Sequence, residues 1–286
     1  MNQQDIETGI VSLIKKAETE LPRDVIRALE QAYKKESGIA KIQLETILKN
    51  ITLAKKTGRP ICQDTGIQTF FVSLGVDSPF RKTIQKEIIN AVKTATVTIP
   101  LRPNTVDPFT GRNPGDNTGA YIPAITWDLC EGKDIHIVSL PKGGGSENMS
   151  RLGMLKPGVG IPGVKEFILQ EVIKAGGGPC PPTVVGIGIG GGADVAMMLA
   201  KKALLRPVGI RHKEKPVVAM EQELVEKINE SGIGPMGLGG KTTVLDVHIE
   251  KAHRHPASLP VGIVIQCWAN RRSTMVIHAD GSWEVP

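Results

Sequence analysis

The sequence predicts a mixed α/β (α+β) protein: a helical N-terminal region over residues 1–58, then an α/β body over residues 59–286 with a mixed or antiparallel sheet. Three observations predict it. Apolar residues recur at helical spacing through the first region: Ile10, Leu13 and Ile14, then Val25, Ile26, Leu29, Ala32 and Tyr33, then a run over 39–54 that stops at Gly58. The texture changes at Arg59-Pro60, after which strand-like runs alternate with glycine-dense stretches. The composition is 40% apolar but only 3% aromatic, so the core must be aliphatic.

Pro22 suits the first turn of the second helix. The many Lys and Glu of residues 1–58, with no chemistry-bearing cluster, mark that region as scaffold or subunit contact. Within the body, residues 68–74 read as a strand and 80–98 as an amphipathic helix with Ile84, Ile88, Ile89 and Val92 on one face. Residues 100–119 form a long irregular segment holding Pro100, Pro103, Pro108 and Pro114, and ordered loops of that length are usually functional. Residues 121–129 and 134–140 alternate and are joined by Glu131-Gly132-Lys133, which predicts a β-hairpin. A helix over 164–174, a strand over 183–185 followed by a glycine stretch over 186–192, and helices over 193–205 and 217–229 come next. Strands over 242–249, 261–266 and 275–278 close the chain, the last running into Trp283.

Composition excludes several classes. No apolar window approaches the roughly 18 residues of a membrane span, and the start, Met-Asn-Gln-Gln-Asp, lacks the pattern of a secretory signal. A cytoplasmic protein with no membrane partner is expected. The net charge of +6 is mild and its basic residues are dispersed, which with few aromatics argues against nucleic acid. Cys62, Cys130, Cys180 and Cys267 lie far apart, so free thiols or metal ligands are expected rather than bridges.

Cys62-Gln63-Asp64-Thr65-Gly66 packs a thiol, an amide, a carboxylate and a hydroxyl into one turn before a strand. A buried cysteine beside an Asx-type turn accounts for it equally well. Cys180 sits between Gly176-Gly177-Gly178-Pro179 and Pro181-Pro182, a stiff setting with little side-chain bulk. Cys267 ends an apolar strand and precedes Trp268-Ala269-Asn270-Arg271-Arg272, whereas Cys130 has no polar cluster and reads as structural. No two cysteines have the close spacing of a structural zinc site. Arg102 suits bidentate grip on a carboxylate, the loop at Gly143-Gly144-Gly145-Ser146 could cradle an anion with its amides, and either His253 or His255 could carry a proton or contact a carboxylate. Gly186-Ile187-Gly188-Ile189-Gly190-Gly191 satisfies G-x-G-x-x-G between a strand and a helix, which keeps a nucleotide-dependent oxidoreductase as a remote alternative. No acidic residue ends a following strand to support it.

Five stretches occur in one order: Pro60-Ile61-Cys62-Gln63-Asp64-Thr65-Gly66, Gly115-Asp116-Asn117-Thr118, Pro141-Lys142-Gly143-Gly144-Gly145-Ser146, Gly178-Pro179-Cys180-Pro181-Pro182-Thr183 and His253-Arg254-His255-Pro256-Ala257-Ser258-Leu259-Pro260. Together they resemble the α half of the iron–sulfur-dependent class I hydro-lyases, the fumarate hydratases and L-tartrate dehydratases. The resemblance implies the class I fumarase α-domain fold and a 4Fe-4S cluster on Cys62, Cys180 and Cys267, with Cys130 outside the pattern. It further implies substrate contacts from Gln63, Asp64, Arg102, Gly143 and His255, with Asp64 and His255 in the catalytic set. The implied activity is reversible hydration of fumarate to (S)-malate in the tricarboxylic acid cycle, the alternative being dehydration of L(+)-tartrate to oxaloacetate. The family's active site is shared with a second half, so a β subunit is the implied partner and a small dicarboxylate the substrate. Gly119 and Met149 stand where the family pattern often has proline and lysine.

Overall fold

The computed structural model describes residues 3–286. In chain order it contains α1 (Gln3–Thr19), α2 (Arg23–Lys35), α3 (Gly38–Thr57), β1 (Thr69–Gly75), α4 (Ile84–Thr98), β2 (Ala124–Cys130), β3 (Ile135–Ser139) and the short turn α5 (Gly144–Glu147). These are followed by β4 (Arg151–Leu155), α6 (Gly160–Ala175), β5 (Thr183–Gly191), α7 (Ala193–Ala203), α8 (Lys215–Asn229), β6 (Val244–Arg254), β7 (Leu259–Gln266), β8 (Ser273–Ile277) and β9 (Trp283–Glu284). The α+β class is as expected, and the three N-terminal helices fall where the apolar spacing puts them. Among the described residues no helix is long and apolar enough to cross a membrane.

Contacts divide the chain into two compact units. The first takes the described residues up to Pro22, Asn50–Gly144 and Arg271–Pro286; the second takes Arg23–Lys49 and Gly145–Asn270. The change of texture at Arg59 is compositional, while the contact boundary falls inside α3.

In the first unit a five-stranded sheet has the order β2-β1-β3-β8-β9, with β1 parallel to β2 and antiparallel to β3. Ile6, Ile10, Leu13 and Ile14 of α1 and Ile84, Ile88, Ala91, Val92 and Ala95 of α4 share one buried cluster with Phe70, Val72, Ile135, Ile137, Met275 and Ile277. The expected hairpin of 121–129 with 134–140 does not form, because β1 lies between β2 and β3. The turn at residues 131–134 instead wraps the end of β1: Gly75 N–H donates to Asp134 O at 3.0 Å and Asp77 N–H to Gly132 O at 3.1 Å. A Cβ on Gly75 would stand 2.6 Å from Gly132 O, so the wrap requires glycine there.

In the second unit a four-stranded sheet has the order β4-β7-β5-β6, and β4 is a strand the sequence did not announce. The wiring repeats that of the first sheet. A central strand, β5, has the next strand, β6, parallel on one side and the one after, β7, antiparallel on the other. Val185 and Ile187 of β5 face a cluster with Val247, Ile249, Val261, Ile263 and Ile265 and with Val164, Ile168, Leu224 and Ile228 of α6 and α8. Beneath α8, Arg206 pairs with Glu221 and Glu250, and Arg211 with Asp246. Burial raises the Asp246 carboxyl, but the His248 hydrogen bond and charge, the Gly209 N–H and Arg211 outweigh it and hold the group below its ordinary value.

The glycine stretch lies within β5 rather than after it. Alternate residues Gly186 and Gly188 take the face packed by α7, where Ala196, Ala200 and Ala203 are buried. A Cβ at Gly188 would come 2.0 Å from Ala196 O, and one at Gly186 2.1 Å from Ala200 O. The first two glycines of the G-x-G-x-x-G pattern therefore serve close packing of helix on strand. Gly188→Ala is expected to cost at least about 1–3 kcal/mol because the obstacle is helix backbone. Urea unfolding of the variant checks this, and wild-type stability would contradict the packing role.

Candidate active site

The first unit carries Cys62, Gln63, Asp64, Arg102 and Gly143. Asp64 is held at both oxygens: Oδ1 accepts Gly66 N–H at 2.9 Å, the Asx turn of the motif, and Oδ2 accepts Gly144 N–H at 2.8 Å. The turn is fastened to the glycine loop by reciprocal bonds between Ile67 and Lys142, each 3.0 Å. Gly66 lies at φ 70°, and a Cβ there would stand 2.6 Å from the Lys142 carbonyl carbon; one on Gly143 would stand 3.0 Å from Asp64 Oδ2. Cys62 is half-buried and Gln63 exposed, with the Cys62 thiol donating to Gln63 Oε1 at 3.5 Å.

Beneath this turn lies a pair that sequence reasoning missed. Arg271 and Glu18, 1% and 0% exposed, form an ion pair at 2.7 Å. Arg271 Nη2 also donates to the Asp64 carbonyl at 2.9 Å, and Gln68 Nε2 donates to Glu18 at 2.8 Å. Burial pushes the Glu18 carboxyl above its ordinary value against the opposing pull of the Arg271 guanidinium. Arg271 was visible only as one of the basic residues after Cys267, and Glu18 sits in a helix with no local sign of function.

The irregular segment is ordered by amide side chains. Asn117, buried and at φ 59°, donates to the Arg102 carbonyl at 2.9 Å and accepts Asn104 N–H at 2.7 Å. Thr65 Oγ1 accepts Arg102 N–H at 3.1 Å. The Arg102 backbone is thus fixed beside the Asp64 turn while its side chain is exposed.

The second unit carries Cys180, Cys267 and His255. Trp268 N–H donates to Cys180 O at 3.1 Å, so the segments bearing Cys180 and Cys267 run side by side at one end of the sheet. Cys180 lies at φ 55°, a left-handed conformation that costs a non-glycine residue roughly 1–2 kcal/mol and often marks functional sites. Gly145, from the glycine loop, approaches the same segment, with a Cβ there 3.7 Å from Gly178 O. Both cysteines are half-buried, and none of the four cysteines is in a disulfide. Cys130 ends β2 in the first unit.

His255 lies elsewhere. It occupies the turn from β6 to β7, whereas Cys267 follows the other end of β7. The intervening strand of 8 residues spans roughly 25 Å at about 3.3 Å per residue. His255 Nδ1 accepts Ala257 N–H at 3.1 Å, which puts the hydrogen of the neutral ring on the exposed Nε2.

Among the described residues no three His, Cys, Asp or Glu side chains gather as a site for a single metal ion. The donor set nevertheless fits an iron–sulfur cluster: half-exposed soft thiols outside any disulfide, two of them on adjoining segments with small, glycine-rich surroundings. A cluster spaces its thiolate ligands more widely than a lone ion does.

The first unit thus holds a doubly anchored carboxylate beside a backbone-fixed arginine, and the second holds two half-buried cysteines on adjoining segments. The chain belongs to the fumarate hydratase family, whose model, described as Fumarate hydratase (Fumerase), matches residues 7–276. Among its relatives, a Methanocaldococcus jannaschii protein provisionally named L(+)-tartrate dehydratase subunit alpha is 53% identical over 96% of this chain and 98% of its own. The L(+)-tartrate dehydratase subunit alpha of Escherichia coli K12 is 40% identical over 93% of this chain and 88% of its own, and that of Shigella sonnei has the same figures. These relatives are hydro-lyases by name, and they favour the tartrate alternative over the fumarate reading.

Proposed function

We propose that the chain is the α subunit of an L(+)-tartrate dehydratase, acting with a β subunit to convert L(+)-tartrate to oxaloacetate and water. The observation that carries the reading is the 53% and 40% identity, over nearly the whole chain, to chains named for that activity. Hydration of fumarate is the second reading, favoured by the description of the family model. Residues 59–286 form the catalytic body in this proposal, and Cys62, Cys180 and Cys267 hold a 4Fe-4S cluster.

The chemistry such a cluster supplies when bound is Lewis acidity toward the hydroxyl that leaves. The chain's own residues bind and orient. Arg102, with its backbone fixed by Thr65 and Asn117, grips one substrate carboxylate, lowering the cost of the charge that develops when the adjacent C–H proton is removed. Gln63 and the Gly143 backbone supply neutral hydrogen bonds to the diacid. Asp64, its two oxygens fixed by Gly66 and Gly144, is a preoriented acceptor in the proton relay. The His255 Nε2–H suits a second carboxylate; because His255 stands at the opposite end of β7 from Cys267, in this proposal it serves a site at the boundary with another subunit.

The test is reconstitution with and without the β chain. The α chain alone is expected to be inactive, and the pair to produce oxaloacetate from L(+)-tartrate. Full turnover by the α chain alone would refute the shared site, and a loaded pair inert toward L(+)-tartrate would refute the substrate.

A further inference from the structure

Asn270 is 0% exposed, and neither its Nδ2 nor its Oδ1 has a hydrogen-bond partner. A buried amide with both ends unmet is unusual in a folded protein, and its cost is tolerated where a ligand completes the set. Both atoms are unmet whichever way the amide is turned. Buried atoms elsewhere in the second unit also lack partners, Ser150 Oγ and His248 Nδ1 among them. His248, however, lies inside the sheet in register with Gly186 and bonds Asp246 through its other nitrogen. Asn270 is different in setting. It lies three residues past Cys267, in a segment that folds back tightly enough for the Cys267 thiol to reach the Ala269 carbonyl at 3.8 Å.

We propose that the Asn270 carboxamide is a positioning residue of the cluster site, donating an N–H hydrogen bond to sulfur at the Cys267 corner, either the thiolate or an adjacent sulfide. This rests on the cluster assignment above. Thiolate and sulfide are anionic acceptors, and a donated hydrogen bond withdraws charge from them, which raises the reduction potential and strengthens retention of the metal. The unmet amide is thus a feature of the chain without its cluster.

Asn270→Leu in the full-length chain tests this, because the two states should respond in opposite directions. Without the cluster, replacing an unmet amide by an apolar group of similar size should leave the unfolding temperature unchanged or raise it. With the cluster, loss of iron to a chelator should be about 10- to 100-fold faster and the reduction potential more negative. Asn270→Asp, which keeps the shape but replaces the donor with an anionic oxygen, should show the same faster loss and lower potential. Wild-type retention and potential in both variants would overturn the proposal, as would a lower unfolding temperature of the cluster-free Asn270→Leu chain with unchanged retention. Failure of the wild-type chain itself to take up iron and sulfide would instead overturn the cluster assignment.

Discussion

Cys180→Ala should fold as the wild type does, fail to retain iron and sulfide, and lose turnover to background. Alanine meets the same left-handed backbone at φ 55° as cysteine, and the side chain is only half-buried, so little packing is lost. What disappears is a thiolate. A metal acting as Lewis acid contributes several kcal/mol to barrier lowering, and about 1.4 kcal/mol corresponds to a factor of ten, so activity should fall by about 1,000-fold or more. Cys130→Ala is the control, since that residue, at the end of β2, lies outside the proposed ligand set and should leave iron content and turnover unchanged. Iron and sulfide analysis, the melting temperature and the assay of the reconstituted pair read all three effects. A Cys180→Ala chain that keeps its cluster would remove Cys180 from the ligand set.

The second large effect is one of stability. Glu18→Gln keeps volume and the hydrogen bond with Gln68 but leaves the Arg271 guanidinium, 1% exposed, without its counter-charge. Breaking a buried pair in this way costs about 3–5 kcal/mol, enough to lower the melting temperature by on the order of 10 °C. Since burial already disfavours ionised Glu18, the pair contributes arrangement more than stability. The double variant Glu18→Gln with Arg271→Met should therefore recover much of the lost stability. It should not recover activity, because Arg271 Nη2 also holds the Asp64 carbonyl. Thermal melts and turnover of the two variants check this, and a double variant with full activity would deny Arg271 its role in setting the Asp64 turn.

Local information carried much of this molecule. The 3.6-residue spacing of Ile10, Leu13, Ile14 and of Val25, Leu29, Ala32 placed α1 and α2, because a helix writes its buried face into its own sequence. Alternation marked β2 and β3 as strands but not as non-partners: it reports which face is buried, whereas the insertion of β1 between them depends on contacts more than fifty residues away. Glycines misled for a related reason. Gly186 and Gly188 read as a loop when taken by composition, while their cause is a helix that packs on the strand. β4 escaped because five residues with a central Gly153, whose Cβ would meet the Phe167 ring at 2.6 Å, carry little β signal.

Within the candidate site, the Asp64 turn and the neighbouring glycine loop were legible as motifs, and the structure adds the bonds that join them. The family resemblance names the cysteines expected to act together, since their spacing is uninformative. The structure adds that the segments bearing Cys180 and Cys267 adjoin. Glu18 and Arg271 were invisible as a pair because 253 residues separate them, and Asn270 because only burial without partners distinguishes it.

The most direct test of the account is kcat/KM for L(+)-tartrate and for fumarate, measured on the same anaerobically reconstituted pair of this chain and its β subunit. The account predicts oxaloacetate formation from L(+)-tartrate favoured over fumarate hydration by a factor of about 100 or more, since a site built around a substrate hydroxyl group discriminates strongly against an analogue that lacks it. Preference for fumarate would contradict it and return the chain to the fumarate hydratase reading.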